Sequence, residues 1–371
     1  MSRADAVVVG AGAIGATCAY ELAGAGFRVT VVERAAPGAE ASGASAGILS
    51  FPDPTRREPV AVLGRLSRDL YEPLADALRE ESGIDIGLGR TGHLRLCMSR
   101  EEVRQAERTA GDPAARETGI TLVGSDDLRR LEPAVSPAAL AALHIPRGSW
   151  VDNVQLVRAL VRAGERRGVR YLCGRAVDAL VRSGERVTGV RAGGHGLIEA
   201  GVVVVAAGAW SGAIEGAPAG LAVRPVKGQI IAFDNTSRLV RHVMFREDVY
   251  LVPRLSGECL FGATVEDQVA DREVTLEGLA WLLREAFQTA PGLAGCRFLR
   301  GWAGLRPATE DGLPVVGPWP GAPGLLVATG HYRSGILMTP VTARIIRDYA
   351  VEGRSFLPAA AALLPDRLAR R

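Results

Sequence analysis

Residues 5–33 read DAVVVGAGAIGATCAYELAGAGFRVTVVE, and this stretch decides the fold. A run of strand formers (5–9) enters Gly10-Ala-Gly12-Ala-Ile-Gly15, a helical stretch over 13–26 ends at Gly24 and Gly26, and RVTVVE (28–33) forms a second strand. A unit of about thirty residues built this way predicts two parallel strands joined by a crossover helix. The glycines of the turn serve distinct physical needs, which are a tight bend, room for backbone beside a pyrophosphate, and close approach of helix to strand. Glu33 ends the second strand 18 residues beyond Gly15, where a carboxylate accepts hydrogen bonds from a ribose hydroxyl. The pattern predicts dinucleotide binding through Gly10, Gly12, Ala13, Ile14, Gly15 and Glu33. It does not by itself choose between nicotinamide and flavin.

Working outward, 371 residues with 45 glycines fit two domains or one large α/β unit. The 44 basic and 41 acidic residues leave a net charge of +3 with the arginines scattered, so neither a nucleic acid nor an anionic membrane is an expected partner. The five cysteines, Cys18, Cys97, Cys173, Cys259 and Cys296, share no metal-ligand spacing and read as buried small hydrophobes; no metal site is expected. The glycine-broken N-terminus is unlike a signal peptide, no apolar run of about 18 residues is present, and the expected location is the cytoplasm.

Further along, a Gly/Ala/Ser/Pro-rich loop covers 34–59, helical spacing covers 65–82, GHLRLCM (92–98) is a strand, and 99–118 reads as one charged helix. Another helix covers 154–167, VRYLCG and RVTGVRAG read as strands of a small sheet, and GVVVVAA (201–207) as a buried parallel strand. Shorter alternating strands between 223 and 275 look antiparallel, 276–288 and 336–350 are helical, 324–328 is a strand, and the tail from about 359 reads as frayed. The expected fold is α/β: a Rossmann-type domain assembled from 1–88, 146–222 and 306–371, with an inserted α+β domain from 89–145 and 223–305 built on an antiparallel sheet.

A second stretch, ATGHYRSGILMTP (328–340), leaves an apolar strand, sets two glycines around a polar cluster and restarts a helix. The free N–H groups and positive dipole end of that helix suit an anionic group. The loop ASGASAGILS (41–50) offers the hydroxyls of Ser42 and Ser45 and slender backbone at Ala46 and Gly47, and VVVVAAGAWS (202–211) ends a strand in Ala207 and Gly208, where a flat ring or phosphate can lie.

With these in place, the chain resembles the FAD-dependent amino acid oxidase superfamily that includes D-amino acid oxidase, sarcosine oxidase and glycine oxidase, and glycine oxidase of the thiamin pathway most of all. The resemblance runs from the first strand to about residue 350. It is carried by GAGAIG (10–15), ERAAPGAEASGASAGIL (33–49), RPVKGQI (224–230), VYLVPR (249–254), GLRPATEDGLPVVG (304–317) and TGHYRSGIL (329–337). It implies a glutathione-reductase-like FAD domain, with Gly304 where monomeric sarcosine oxidases carry a flavin-tethering cysteine, so FAD is expected without a covalent link. It also implies that Glu33 and Arg34 hold the adenosine side, that Ser42, Ser45, Ala46, Gly47 and Ile48 line the flavin, and that Val177 presents backbone to adenine. Gly330, His331, Tyr332, Ser334, Gly335 and Ile336 are placed at the pyrimidine end of the ring. Ser334 departs from the Asn that many glycine oxidases carry there.

On the substrate side, the resemblance assigns Arg306 to a bidentate carboxylate clamp, Tyr250 to a hydroxyl on the same carboxylate and Arg333 to the substrate side of the ring. No Ser/His/Asp or paired-carboxylate constellation competes, and His331 is expected to be a structural ring. The expected reaction is oxidative deamination of glycine, sarcosine or a small D-amino acid by hydride transfer from Cα to flavin N5, giving an imino acid and then an oxo acid plus ammonia or an amine. Oxygen is the expected acceptor, released as hydrogen peroxide, and the expected assembly is a dimer or tetramer. Two alternatives stay open on the same fold: a dehydrogenase passing electrons to a quinone or protein, and a flavin subunit of a heteromeric complex. A nicotinamide-dependent dehydrogenase is the third. The size of side chain admitted is expected to depend on 51–60 and 241–270.

Overall fold

The computed structural model describes residues 4–50 and 58–369. The opening unit forms as its sequence predicts: strand β1 (Ala4–Val9), helix α1 (Ala13–Gly24) and strand β2 (Val29–Glu33), with β1 and β2 parallel and Val7 opposite Thr30. The following loop contains one helical turn, α2 (Ala41–Ala44). Where one helix is expected over 65–82 there are two, α3 (Pro59–Asp69) and α4 (Tyr71–Ser82). Pro73 has no N–H to give to the preceding turn and its ring crowds the carbonyl four residues back, so the helix breaks at Leu70.

Strand β3 (His93–Cys97) leads to α5 (Arg100–Gly111) and α6 (Pro113–Glu117), again two helices instead of the single one expected over 99–118. The ring of Pro113 drives Asp112 out of the helical region to ψ 131°, and its carboxylate then caps α6 through Ala114 N. Strand β4 (Thr121–Gly124), α7 (Ser125–Leu131) and β5 (Ala141–Ile145) complete this stretch.

The chain then enters α8 (Asn153–Arg166) and strands β6 (Arg170–Cys173), β7 (Val177–Ser183), β8 (Arg186–Ala192) and β9 (Gly196–Val205). RYLC, expected in a small sheet, instead pairs in parallel with β2, with Val31 opposite Tyr171. The return of α8 delivers it to that open edge. The C-terminal half of β9 lies between β1 and a later strand; buried on both sides, it is a continuous run of valines.

Next come β10 (Arg224–Asp234), β11 (Val243–Arg246), β12 (Val249–Pro253), β13 (Glu258–Gly262), β14 (Glu266–Asp267), α9 (Leu276–Thr289) and β15 (Phe298–Ala308). Then come β16 (Val315–Pro318), β17 (Leu325–Thr329) and α10 (Gly335–Glu352), followed by a 3-10 turn (Pro358–Leu363) and a last helical turn, α11 (Asp366–Ala369). One sheet runs β16-β17-β9-β1-β2-β6 with the β7–β8 meander attached to β9. The other runs β14-β10-β13-β12-β11-β3-β5-β4, with β15 on β10. Its pairings are antiparallel except β3 with β11, which come from distant chain segments and lie parallel. Pairing of Arg224 with Ala308 carries β15 past residue 305, so Arg306 is itself a residue of this second sheet.

The tail is packed where fraying is expected. Ala360 and Leu363 are fully buried against the core of the first sheet with Leu22, Val341 and Ile345. A 3-10 turn over Pro358–Leu363 presents both side chains to that core. Leu363→Ala is expected to lower the unfolding free energy by about 2–4 kcal/mol, checked by urea denaturation; a loss within about 0.5 kcal/mol is what a frayed tail would give.

Candidate functional site

Two helix N-termini converge on the C-terminal ends of the first sheet's strands. Gly10, at φ +101°, turns β1 into α1, and a Cβ there would lie 2.6 Å from the Ala206 carbonyl oxygen. A Cβ on Gly15 would fall 2.0 Å from the Gly10 carbonyl oxygen, so helix and turn touch. Gly12 instead faces the Ser42 hydroxyl, which accepts a hydrogen bond from Ala13 N at 2.9 Å. The first turn of α1, with Ile14 half-buried on it, holds no acidic side chain, so its positive end is left for a ligand.

Glu33 is nearly buried; Ala11 N donates to one carboxylate oxygen and Ala35 N to the other, both at 2.8 Å. This fixes the carboxylate and leaves lone pairs facing outward. Arg175 N donates to the Glu33 carbonyl, which brings the start of β7, with Val177, beside the end of β2. Arg34 stacks 3.5 Å over the Trp210 ring and pairs with Glu40. Ala207 and Gly208 follow β9, and Gly208, at φ +57°, has open space where a side chain would stand.

The second N-terminus is that of α10. Gly330, at φ +76°, ends β17 against Thr309. His331 is buried and its Nε2 shares a hydrogen bond with Thr342 Oγ1 at 3.0 Å; burial lowers its pKa to about 3, so the ring is neutral and structural. Tyr332, at φ 47°, donates its N–H to the Pro307 carbonyl, Ala308 bridges to His331, and Ser334 Oγ donates to the His331 carbonyl. Gly335 opens the helix with only ordinary contact around it, no acidic residue follows in the first turn, and Tyr71 donates to the Ile336 carbonyl.

The end of β15 therefore lies beside the start of α10, and register decides which side chains look toward it. Opposite partners Val226 and Arg306, Gly228 and Gly304, Ile230 and Trp302, Ile230 and Gly262, and Gly262 and Tyr250 all share one face. Arg306 and Tyr250 thus point the same way, over three glycines. A Cβ at Gly228 would meet the Arg306 guanidinium at 2.2 Å, one at Gly262 the Tyr250 hydroxyl at 3.1 Å, and one at Gly304 the Cβ of Ala44 at 2.4 Å. Arg306 Nη1 donates to the carbonyls of Lys227 and Thr264. Burial raises the Tyr250 pKa, opposed by the nearby charges of Arg306 and Arg333. Arg333 itself sits at the rim, paired with Asp248 at 2.7 Å.

The loop 41–50 closes the other side and is tied down by residues that sequence reasoning passed over. Asn153 Nδ2 donates to the carbonyls of Ser42 and Gly43, and Trp302 Nε1 donates to that of Ala44. Arg254, just past β12, donates to the carbonyls of Ala46 and Val151 and to Asn153 Oδ1; burial lowers its pKa to about 10. Ser45 Oγ accepts from Gly47 N, Val151 N donates to the Gly47 carbonyl, and Ile48 bridges to Trp150. Arg254 closes the stretch VYLVPR, but an arginine after an apolar strand reads as solvent-facing, and no local pattern marks it as buried.

A glycine-lined turn, a fixed carboxylate, two open helix N-termini and slender backbone at 46–47 and 207–208 fit FAD along one continuous path. A flavin-dependent oxidoreductase is the class that this fold and cleft define. The chain belongs to the family described as DAO, FAD dependent oxidoreductase, whose model matches residues 5–349. It is an FAD-dependent enzyme acting on CH–NH bonds. It is 34% identical to glycine oxidase of Geobacillus kaustophilus over 93% of this chain and 92% of that one. It is 32% identical to hydrogen cyanide synthase subunit HcnC of Pseudomonas aeruginosa over 92% and 91%. The crystal structure of the Geobacillus kaustophilus glycine oxidase superposes with a TM-score of 0.90 at 32% identity, covering 98% of each chain. No helix among the described residues is long and apolar enough to cross a membrane.

Two outcomes test this geometry. Arg254→Met leaves three buried acceptors without their donor and is expected to lower stability by about 2 kcal/mol and to speed hydrogen exchange at amides 43–47, read by mass spectrometry. His93 and His331 are both buried with pKa values lowered to about 3, so below pH 6.5 the unfolded chain takes up protons that the folded chain does not. Stability is expected to fall as the pH drops through 6.5 toward 3, by roughly 2 kcal/mol per histidine at pH 5 relative to pH 7, and His331→Gln should flatten that slope in pH-dependent melts.

Proposed function

We propose that this enzyme oxidises the carbon–nitrogen bond of a small amino acid, glycine or sarcosine first and small D-amino acids next, with molecular oxygen as the acceptor. The observation that carries the reading is the shared face of Arg306 and Tyr250, cleared by Gly228, Gly262 and Gly304, beside the N-terminus of α10. With Nη1 held by two carbonyls, Arg306 keeps its other donors for a carboxylate, and the Tyr250 hydroxyl adds one more. Arg333 contributes positive charge at the rim. Clamping the carboxylate fixes the direction of the Cα–H bond, and alignment with electrostatics supplies most of the effect. His331 is neutral and occupied by Thr342, which fits a route that needs no protein base.

FAD, held without a covalent link, supplies the two-electron acceptor for the hydride leaving Cα. Gly10, Gly12, Ala13, Ile14 and Gly15 would take the pyrophosphate, Glu33, Arg34 and Val177 the adenosine, and Ser42, Ser45, Ala46, Gly47, Ile48, Ala207 and Gly208 the ring and its chain. Gly330, His331, Tyr332, Ser334, Gly335 and Ile336 would hold the pyrimidine end. In this reading 1–88, 146–222 and 306–371 carry the cofactor and 89–145 and 223–305 the substrate, except that Arg306 reaches the substrate from the end of β15. Part of the stretch assigned to side-chain size, 51–57, lies outside the described residues. The reading includes a cytoplasmic dimer or tetramer. Similarity to the hydrogen cyanide synthase subunit favours a second reading, a flavin subunit or dehydrogenase that hands electrons to another acceptor.

Anaerobic mixing with glycine, sarcosine and D-alanine, followed by air and a peroxide assay, separates the two. Bleaching of the visible flavin absorbance followed by peroxide is expected for the oxidase; bleaching without peroxide supports the second reading. Arg306→Ala is expected to raise KM about a hundredfold with FAD affinity unchanged, and an unaltered KM would remove the clamp.

A further inference from the structure

The motif RPVKGQI contributes Gly228 to the open face, but its Lys227 and Gln229 point to the opposite one, under α9. Lys227 is 2% exposed, with Nζ 2.7 Å from Asp271 Oδ1 and 3.5 Å from Glu266 Oε2. Glu266 Oε1 accepts from Thr264 Oγ1 at 2.5 Å and from Gln229 Nε2 at 2.8 Å. Thr264 Oγ1 in turn accepts from Gln229 N at 2.9 Å, and Gln229 Oε1 accepts from Thr275 N at the start of α9. Thr264 and Lys227 also own the two carbonyls that receive Arg306 Nη1, at 3.1 and 3.2 Å.

Lys227 is covered, but its partners Asp271 and Glu266 are 54% and 28% exposed, and an ion pair so open to solvent contributes at most about 1 kcal/mol, so stability does not account for a lysine at this place in the sheet. What the cluster does is hold Lys227 on β10 and Thr264, between β13 and β14, at a set separation. Their carbonyls then grip one end of a guanidinium whose other donors face the open side. We infer that Lys227, Glu266 and Gln229 are positioning residues that orient Arg306 from behind the sheet through the Lys227 and Thr264 carbonyls. This rests on the reading of Arg306 as the carboxylate clamp.

The test uses the FAD-loaded protein and acetate as the carboxylate probe, with its dissociation constant read from the perturbed flavin absorbance. Glu266→Gln and Lys227→Met are each expected to weaken acetate binding about three- to tenfold, leave FAD affinity within about twofold, and raise KM more than they lower kcat. Because the effect passes through Arg306, Glu266→Gln added to Arg306→Lys should weaken binding no further than Arg306→Lys alone. A purely structural role would lower the melting temperature with acetate binding unmoved, or would add in full to Arg306→Lys; either result overturns the inference. If Arg306→Lys itself leaves acetate binding unchanged, the clamp reading fails and the inference falls with it. Thr264→Val, which removes the hydroxyl that Glu266 holds, gives the same reading should a charge variant not fold.

Discussion

The pairing of β10 with β15 is the constraint on which the candidate site depends. It runs from Arg224 opposite Ala308 to Phe233 opposite Phe298, the most extensive strand pairing among the described residues. Side chains alternate across a sheet, so a slip of one residue would send Arg306 to the face covered by α9. The same pairing carries the chain to Pro307 and Ala308, whose backbone meets Tyr332 and His331 and so brings the start of α10 alongside. One register thus sets both the direction of Arg306 and its distance from a helix N-terminus.

The seam between the two sheets is polar where it holds the loop 41–50 and apolar around it. Arg254, Asn153 and Trp302 hydrogen-bond the carbonyls of residues 42, 43, 44 and 46, while Ile48, Trp150 and Ile230 pack beside them. Irregular backbone at a buried seam needs such partners, because each unpaired carbonyl would cost about 1–3 kcal/mol. The loop is accordingly held in one shape without belonging to a sheet.

Charge at the site is arranged with one sign. Arg306, Arg333 and Arg254 all act on the Tyr250 phenol, both helix N-termini lack acidic residues in their first turns, and the neighbouring His331 is neutral. Around Arg306 and Tyr250 the carboxylates described lie at the rim, as Asp248, or behind the sheet, as Glu266 and Asp271, while Glu33 is set apart at the α1 end. An anionic substrate and a cofactor that gains negative charge on reduction both suit that field.

Local sequence determined the opening β-α-β unit, the glycine turn with Glu33, and the strand-to-helix junction at 328–340, because spacing and turn chemistry act within a few residues of the chain. The helix breaks at Leu70 and Asp112 were also written locally, in Pro73 and Pro113, and needed only the proline rule. Other features had no local sign. Strand RYLC could have paired anywhere, and only the return of α8 placed it on β2; the tail reads as frayed in sequence, and it is held by the burial of Ala360 and Leu363 and by Arg367 bonding Asp311, Leu313 and Pro314. Arg254 and Lys227 look like surface cations in sequence, and become buried because partners 39 or more residues away supply their acceptors. Sequence alone determined which residue types could do the chemistry; tertiary structure decided which of them face each other, since strand register and burial depend on contacts between segments far apart in the chain.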